Sequence, residues 1–244
     1  MILADSSGAL VSPTGVFGTQ ANPSFWVPVV TGALALLLVL SGSPWRLARN
    51  VVTIVHEAGH ALIAVLAGRR LEGIRLHSDT SGVTVSRGKR EGPGMVLTSL
   101  AGYPAPGLLG LAFAALVAAN RITVLLVLAA LLLLGVLVMV RNAYGVLSVV
   151  LTAAGLAALA LIAGDEVQSW FVYLVTWFML LGGIRPVIEL RAKRRRGAAR
   201  DSDVDQLGRL TGVPPALWLL ILAVIGLSCL LIGGAWLLEP ALKQ

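Results

Sequence analysis

The chain has 244 residues, of which 57% are hydrophobic and only 13% are charged, and its mean hydropathy is +0.88. Soluble domains carry roughly 45–50% apolar and about 25% charged residues, so this composition excludes an ordinary soluble protein and predicts an integral membrane protein. The net charge of +7 is explained by basic loops, and no aromatic or recognition element accompanies the basic run "RAKRRRGAAR", so no nucleic-acid partner is expected.

The first 24 residues carry no Lys or Arg and no apolar run long enough for a signal peptide. We therefore expect residues 1–24 to form a flexible tail that is retained. Residues 25–244 are expected to form a single membrane domain, all-α and multi-pass, with about seven transmembrane helices, because apolar segments of spanning length recur throughout. These segments lie near residues 25–42, 48–67, 94–119, 122–140, 143–163, 167–190 and 214–238.

Basic residues concentrate in two of the connecting loops, 68–93 and 191–213. With seven spans both loops lie on the same side of the membrane, and the positive-inside rule makes that side the cytoplasm. The N-terminus is then cytoplasmic and the C-terminus lies outside. We expect a multi-pass protein of the plasma membrane whose basic loops lie close to the lipid headgroups of the bilayer.

The second apolar segment contains the sequence His-Glu-Ala-Gly-His at positions 56–60. On an α-helix, His56 and His60 lie one turn apart on the same face and can bind one tetrahedral metal ion. Glu57 can then accept a proton from the water that a zinc ion activates. An ionisable residue inside a spanning helix costs about 2.5–3.5 kcal/mol, which favours a functional role over the alternative, a polar interhelical network without metal.

Two further motifs follow this helix. Residues 71–88 predict a β-hairpin, because two short strand-like runs flank the turn sequence Asp-Thr-Ser-Gly. The next apolar segment then contains the stretch "SLAGYPAPGLLG", in which Pro104 and Pro106 break the span.

Together these stretches resemble the site-2 protease family of intramembrane zinc metalloproteases, most closely a divergent bacterial branch, over about residues 48–220. In that family a β-hairpin at the membrane face follows the metal-binding helix, and a Gly-Pro motif in the next span packs near the metal. The resemblance implies a Zn²⁺ endopeptidase that cleaves membrane-protein substrates in or near their transmembrane segments. It also makes Gly102 and Pro104 candidates for substrate binding.

The third metal ligand departs from the family's usual pattern. Better-known members take it from Asp in a Leu-Asp-Gly motif, which this chain lacks. The stretch "ARDSDVDQLGRLTGVPPALW" resembles the corresponding region of the divergent branch, and this resemblance implies Asp203 as the third ligand. Asp201 or Asp205 is the alternative, and either could instead be a solvated partner of the basic run 191–200.

Two other polar residues have two interpretations each. Asn142 resembles the Asn that precedes the Leu-Asp-Gly motif in the family, which makes it a candidate for aligning the substrate or orienting the metal's water. Its ordinary interpretation is a helix cap. His77, in the predicted hairpin, is a candidate third ligand, but a solvated polar position is the expectation.

Two other functions compete with proteolysis. A non-proteolytic scaffold or regulator could retain the same fold and would tolerate replacement of Glu57. A metal carrier could also keep polar groups near the middle of the membrane, but the chain lacks matching pairs of broken helices in two halves. For a protease, we expect an extended substrate to pair with an edge strand of the 71–88 hairpin, because a peptide unwound in lipid needs new hydrogen-bond partners.

Overall fold

The computed structural model describes residues 23–198 and 201–242, which are mainly helical. Nearly all of the predicted N-terminal tail, residues 1–22, lies outside the described residues. In chain order the elements are α1 (Trp26–Leu40), α2 (Ser43–Leu66), β1 (Arg70–Leu76), β2 (Gly82–Arg87), α3 (Pro93–Ala101), α4 (Pro104–Ala118), α5 (Ile122–Met139), α6 (Ala143–Ile162), α7 (Asp165–Arg195), α8 (Asp203–Thr211) and α9 (Pro215–Leu242).

Within the described part of the chain, four helices are long and apolar enough to cross a membrane: α5, α6, α7 and α9. Two more spans arise only if α1 with α2, bent by 100°, and α3 with α4, bent by 67°, each count as one. The structure therefore gives four to six spans, not the seven predicted. The physical reason is length, since the 15 residues of α1 extend only about 22 Å, whereas the bilayer core is about 30 Å thick.

The span count bears on the predicted sidedness. If α3 and α4 form one span, four crossings separate the 68–93 loop from the 191–213 loop, and both remain on one side. If α1 and α2 also form one span, the start of α1 lies on the opposite side from both loops. The predicted cytoplasmic N-terminus therefore depends on the seven-span count, whereas the common side of the two basic loops requires only that α3 and α4 form one span.

Both helix breaks have local causes. Between α1 and α2, Ser41 adopts an extended conformation, and its hydroxyl accepts a hydrogen bond of 3.1 Å from the Trp45 amide in the first turn of α2. Between α3 and α4, Pro104 has no amide hydrogen to continue the helix. The second break places Gly102 and Tyr103 beside α2, where the candidate site lies.

Helix α7 is the centre of the bundle. In the 18-residue apolar stretch of α7 that could cross a membrane, 56% of the residues are buried, compared with 17–22% in the same stretches of α5, α6 and α9. These three helices therefore present most of their surface outward, as lipid-facing helices do. Glycine allows α7 to approach α4 closely, because a Cβ added at Gly183 would lie 2.9 Å from the backbone nitrogen of Gly107.

The predicted hairpin is confirmed, with β1 and β2 paired antiparallel. Its inner face packs on α2 through Ile74 and Leu76, which are fully buried in a cluster with Ile54 and Ala61. Near its turn, the Thr53 hydroxyl of α2 donates a hydrogen bond of 2.8 Å to the backbone carbonyl of Thr80. The hairpin is therefore fixed against the helix that carries the His-Glu-x-x-His motif.

The outer edge of β1 is also occupied. Val140 forms a parallel bridge with Ile74, and the Arg141 amide donates to the Ile74 carbonyl at 2.9 Å. The Asn142 side chain then continues this pairing, because it donates to the Leu76 carbonyl at 2.7 Å and accepts from the Leu76 amide at 3.1 Å. Among the described strands, β2 has only β1 as a neighbour, so the edge of the sheet open to another strand is that of β2.

Asn142→Ala tests how the hairpin is held. We expect faster hydrogen exchange at the Leu76 amide, which loses its acceptor, and a free energy of unfolding lower by about 1 kcal/mol. Thr152→Ala is the control, because the Thr152 hydroxyl bonds only within α6, to the Ser148 carbonyl at 2.8 Å. Unchanged exchange at Leu76 in the Asn142 variant would contradict this role.

Candidate metal centre and active site

Helix α2 brings the two histidines of the motif together. The Nε2 atoms of His56 and His60 lie 3.1 Å apart, and the two rings meet at an angle of 84° with their centroids 4.7 Å apart. His60 and the neighbouring Glu57 are buried, whereas His56 is partly exposed. Both imidazoles therefore direct a nitrogen towards one point, as the spacing of four residues predicts.

The orientation of the His60 ring is fixed from α3. Its Nδ1 lies 2.6 Å from the backbone carbonyl of Thr98. A carbonyl only accepts hydrogen bonds, so the proton of the neutral ring resides on Nδ1 and the lone pair on Nε2 is free. This arrangement is the usual support for a metal-binding histidine.

The third member of the group comes from α8. Asp203, the first residue of that helix, places Oδ2 3.3 Å from Nε2 of His56 and 3.2 Å from Nε2 of His60. Burial raises the pKa of Asp203, but its contacts with the two imidazoles lower the pKa by more. The carboxylate is therefore ionised.

Helix α8 is held in place by its own N-terminal contacts. Ser202 and Asp205 form a capping box, and the Asp205 carboxylate also forms an ion pair with Arg194 at the end of α7. Asp201 lies 3.7 Å from Arg209 in an exposed ion pair. Of the three aspartates considered from the sequence, only Asp203 thus lies with the histidines, and the other two have basic partners.

These three residues fit a tetrahedral metal ion. Their ligand atoms are separated by 3.1–3.3 Å. In tetrahedral zinc sites with bonds of about 2.1 Å, ligand atoms lie about 3.4 Å apart. The lone pair of His60 also faces the carboxylate oxygen of Asp203, and two electron-rich atoms so close are stable only when a proton or cation lies between them.

Gly102 leaves the space that such an ion needs. A Cβ added at this position would lie 2.3 Å from Nε2 of His60 and 2.6 Å from Nε2 of His56. Its backbone has helical dihedral angles, φ −63° and ψ −58°, which any residue can adopt. The requirement for glycine here is therefore spatial and not conformational. Gly59 similarly allows α2 to approach the helix break, since its Cβ would meet Ala105 at 2.6 Å.

Glu57 is oriented by the hairpin. Its Oε2 accepts a hydrogen bond of 2.7 Å from the Thr84 hydroxyl on β2. At the start of β2, a Cβ on Gly82 would lie 2.9 Å from the other carboxylate oxygen, Oε1. The carboxylate is therefore enclosed between α2 and the hairpin, with one oxygen occupied by Thr84.

A cavity of about 170 Å³ opens beside Glu57 and His56. Tyr103, at the helix break, lines this cavity. Its ring and the His56 ring contact each other edge to face, at an angle of 90° and with their centroids 4.8 Å apart. The Tyr103 hydroxyl makes no hydrogen bond to a described residue. Other wall residues are Arg49, Thr53, Thr80, Ser81 and Pro186.

The remaining candidates lie away from the metal group. Asn142 directly precedes α6, but its side chain does not cap that helix and bonds to Leu76 of β1 instead. His77 is exposed in the hairpin turn, 3.3 Å from the Ser81 hydroxyl, and is not part of the group, which fits the solvated position expected for it. Pro104 begins α4 and contributes to the site through the break that exposes Gly102.

Sequence reasoning missed several residues of this site. Thr98 contributes through its backbone carbonyl, which leaves no side-chain signal. Thr84 and Tyr103 belong to motifs that were recognised, but nothing in their spacing relates them to Glu57 or His56. Arg49 could have been found, because seven residues before His56 is two helical turns and therefore the same face of α2.

A protein-family model described as Peptidase M50B-like matches residues 29–233, which include the whole metal group and the cavity. The chain belongs to the Peptidase M50B-like family. This membership confirms the predicted place among site-2 proteases. No curated protein and no solved structure matches the chain.

Membership of the M50B-like family implies a metalloprotease that acts in the membrane. The described residues agree with both parts of that statement, because they include helices of spanning length and a group of two histidines and one aspartate that could hold a metal ion. The two histidines lie on α2 and the aspartate on α8, two helices that are far apart in the sequence.

Asp203→Asn tests the third ligand. The amide oxygen is a much weaker zinc ligand than a carboxylate, so we expect zinc affinity to fall by at least about tenfold. The measurement is the zinc content of detergent-purified protein after dialysis against a competing chelator. Asp201→Asn is the matched control and should retain the metal; equal loss from both variants would exclude Asp203 as the specific ligand.

Gly102→Ala tests the space between the histidines. The added methyl group occupies the position of the metal, so we expect loss of zinc from a protein whose helix content is unchanged, as measured by metal analysis and circular dichroism. Gly155→Ala in α6 is the control, because nothing lies within 4 Å of a Cβ built there. Full zinc occupancy in the Gly102 variant would show that the metal lies elsewhere.

Proposed function

We propose that this protein is a zinc-dependent intramembrane endopeptidase that hydrolyses peptide bonds in or near the transmembrane segments of membrane-protein substrates. The observation that carries the proposal is the position of Glu57, a buried carboxylate that borders the same cavity as the metal ligand His56. That combination of a base, a metal group and an open cavity is what hydrolysis of an amide requires.

His56, His60 and Asp203 would hold the zinc ion. When bound, zinc supplies Lewis acidity, which lowers the pKa of a coordinated water to about 7 and polarises a carbonyl group. Three protein ligands leave a fourth position free for water or substrate, the arrangement typical of catalytic and not structural zinc sites.

Glu57 acts as the general base and then as the general acid in this proposal. Thr84 occupies Oε2, so Oε1 is the oxygen available to accept the proton of the attacking water. The protonated carboxyl group then donates that proton to the amide nitrogen that leaves. Positioned proton transfer of this kind contributes about 10²–10⁴-fold to a rate.

Tyr103 would assist at the substrate carbonyl. Its hydroxyl has no partner among the described residues, and its ring lies against His56. A donor in this position can hydrogen-bond to the carbonyl oxygen as negative charge develops there, the role of an oxyanion-stabilising group.

The edge of β2 offers a binding place for an unwound substrate. Its Val83 and Val85 side chains are 43% and 38% exposed, whereas Thr84 between them points towards Glu57. An apolar segment added as a further strand would satisfy its backbone groups on β2 and would pass next to the catalytic carboxylate. Gly102 and Pro104 would bound this region from the helix break, and Asn142 would support it indirectly by holding β1.

The proposal also includes the protein's location and orientation in the membrane. The basic loops are cytoplasmic under the positive-inside rule, so the protein would be a multi-pass protein of the plasma membrane. Asp203 reaches the site from the short helix that follows the 191–200 basic run, which puts the metal near the cytoplasmic face. Substrates would then be cleaved in the cytoplasmic half of their spans.

Glu57→Gln is the decisive variant. Glutamine can still accept the hydrogen bond from Thr84 but cannot take a proton, so we expect zinc content to be retained and cleavage of an apolar transmembrane reporter peptide in proteoliposomes to fall by about 10²–10⁴-fold. Glu72→Gln is the control, because Glu72 is exposed and paired with Arg87 on the hairpin. Undiminished cleavage by the Glu57 variant would refute the base assignment, and no cleavage by the unmodified protein would favour the scaffold alternative.

A further inference from the structure

Helix α2 contributes one more charged group to the cavity, Arg49. It lies seven residues before His56, on the same face of the helix and about 10 Å from it along the axis. Arg49 lines the cavity that His56 and Glu57 also line, and it is the only Lys or Arg among the residues described around that cavity. A cation therefore borders the space that a substrate would occupy.

The one ion pair of Arg49 is weak. Its Nη1 lies 3.5 Å from Oε2 of Glu189, longer than a good hydrogen bond. Glu189 has closer partners, because its Oε1 accepts from the Trp45 indole at 2.9 Å and from Nε of Arg185 at 3.0 Å. Arg185 in turn donates to the Ser41 carbonyl at 2.9 Å and lies over the Trp45 ring. Arg185 already neutralises the carboxylate.

Arg49, Arg185 and Glu189 together therefore carry one positive charge in excess, and Arg49 is the member of the three that lines the cavity. Arg49 makes no hydrogen bond to another described residue, so most of the five donors of its guanidinium are unused. Its side chain is only 28% exposed, a costly environment for a cation in a membrane protein unless an anion compensates for it. The planar fork of arginine suits a carboxylate in particular, which it binds through two parallel hydrogen bonds.

We propose that Arg49 forms a subsite for a carboxylate of the substrate, about three residues from the bond that is cut. The inference rests on the proposed protease function. An extended peptide advances about 3.3 Å per residue, so three residues cover the distance from His56 to Arg49. The carboxylate is either an acidic side chain or the free C-terminus of the peptide, and both offer the same two oxygens.

The probes are ten-residue peptides of Ala, Val, Gly and Ser that each carry one Asp, at a different position in each peptide. A matched series carries Asn in place of Asp at the same positions. Each peptide is made with a free and with an amidated C-terminus, which separates the two sources of the carboxylate. Binding to the zinc-loaded Glu57→Gln protein in detergent micelles is measured by fluorescence anisotropy, so the readout does not require hydrolysis.

We expect one Asp position, or the free C-terminus, to bind about tenfold to a hundredfold more tightly than its neutral match. Adding Arg49→Gln should abolish this preference, whereas Arg49→Lys, which keeps the charge but not the fork, should retain part of it. Arg46→Gln is the control, since Arg46 is exposed and bonds to Ser43 outside the cavity, and it should leave the preference unchanged.

A preference that survives Arg49→Gln, or no preference in the parent protein, would overturn the subsite. A purely structural role for Arg49 would weaken the binding of acidic and neutral peptides equally and would likewise overturn it. The proposed function fails separately: if the unmodified protein cleaves no peptide while the carboxylate preference persists in the Glu57→Gln protein, the protease assignment is wrong and the subsite stands.

Discussion

The site depends on the close approach of three electron-rich atoms, the Nε2 atoms of His56 and His60 and the Oδ2 atom of Asp203, at 3.1–3.3 Å from one another. Such a group is unfavourable on its own and becomes favourable when a cation is shared among its members. Much of the fold nearby serves this approach, because the Thr98 carbonyl fixes one ring, Gly102 leaves room, and the capping contacts of α8 hold the carboxylate.

The broken helices explain how the fold builds such a site within a membrane protein. A continuous span in place of α3 and α4 would present side chains along its whole length, whereas the 67° bend turns a glycine backbone towards the imidazoles. Irregular backbone at membrane depth is tolerated where it is buried in protein or lines a cavity, and the Gly102–Tyr103 break does line the cavity. The hairpin similarly pairs β1 on both sides, with β2 on one side and with Arg141 and the Asn142 side chain on the other, while the outer edge of β2 stays open.

Much of the site and of the fold around it could be predicted from the sequence, but for a different reason at each residue. His56, Glu57 and His60 follow from helical spacing, and the hairpin follows from two strand-like runs around a turn sequence. Asp203 could be reached only through family resemblance, because its proximity to α2 arises from tertiary folding over 143 residues. The prolines predict a break in the third segment, but neither its angle nor the bend between α1 and α2 could be predicted, since hydropathy records how apolar a segment is and not the angle between its halves. This is why seven spans were expected from segments that form six at most.

The separation of Asp203 from the histidines also has a consequence for biosynthesis. His56 and His60 enter the membrane early, but the chain lacks a complete ligand set until α8 has been made and has docked beside them. During translation the two imidazoles alone would bind zinc weakly. Tight metal binding therefore begins only after Asp203, 143 residues beyond His60, has been translated.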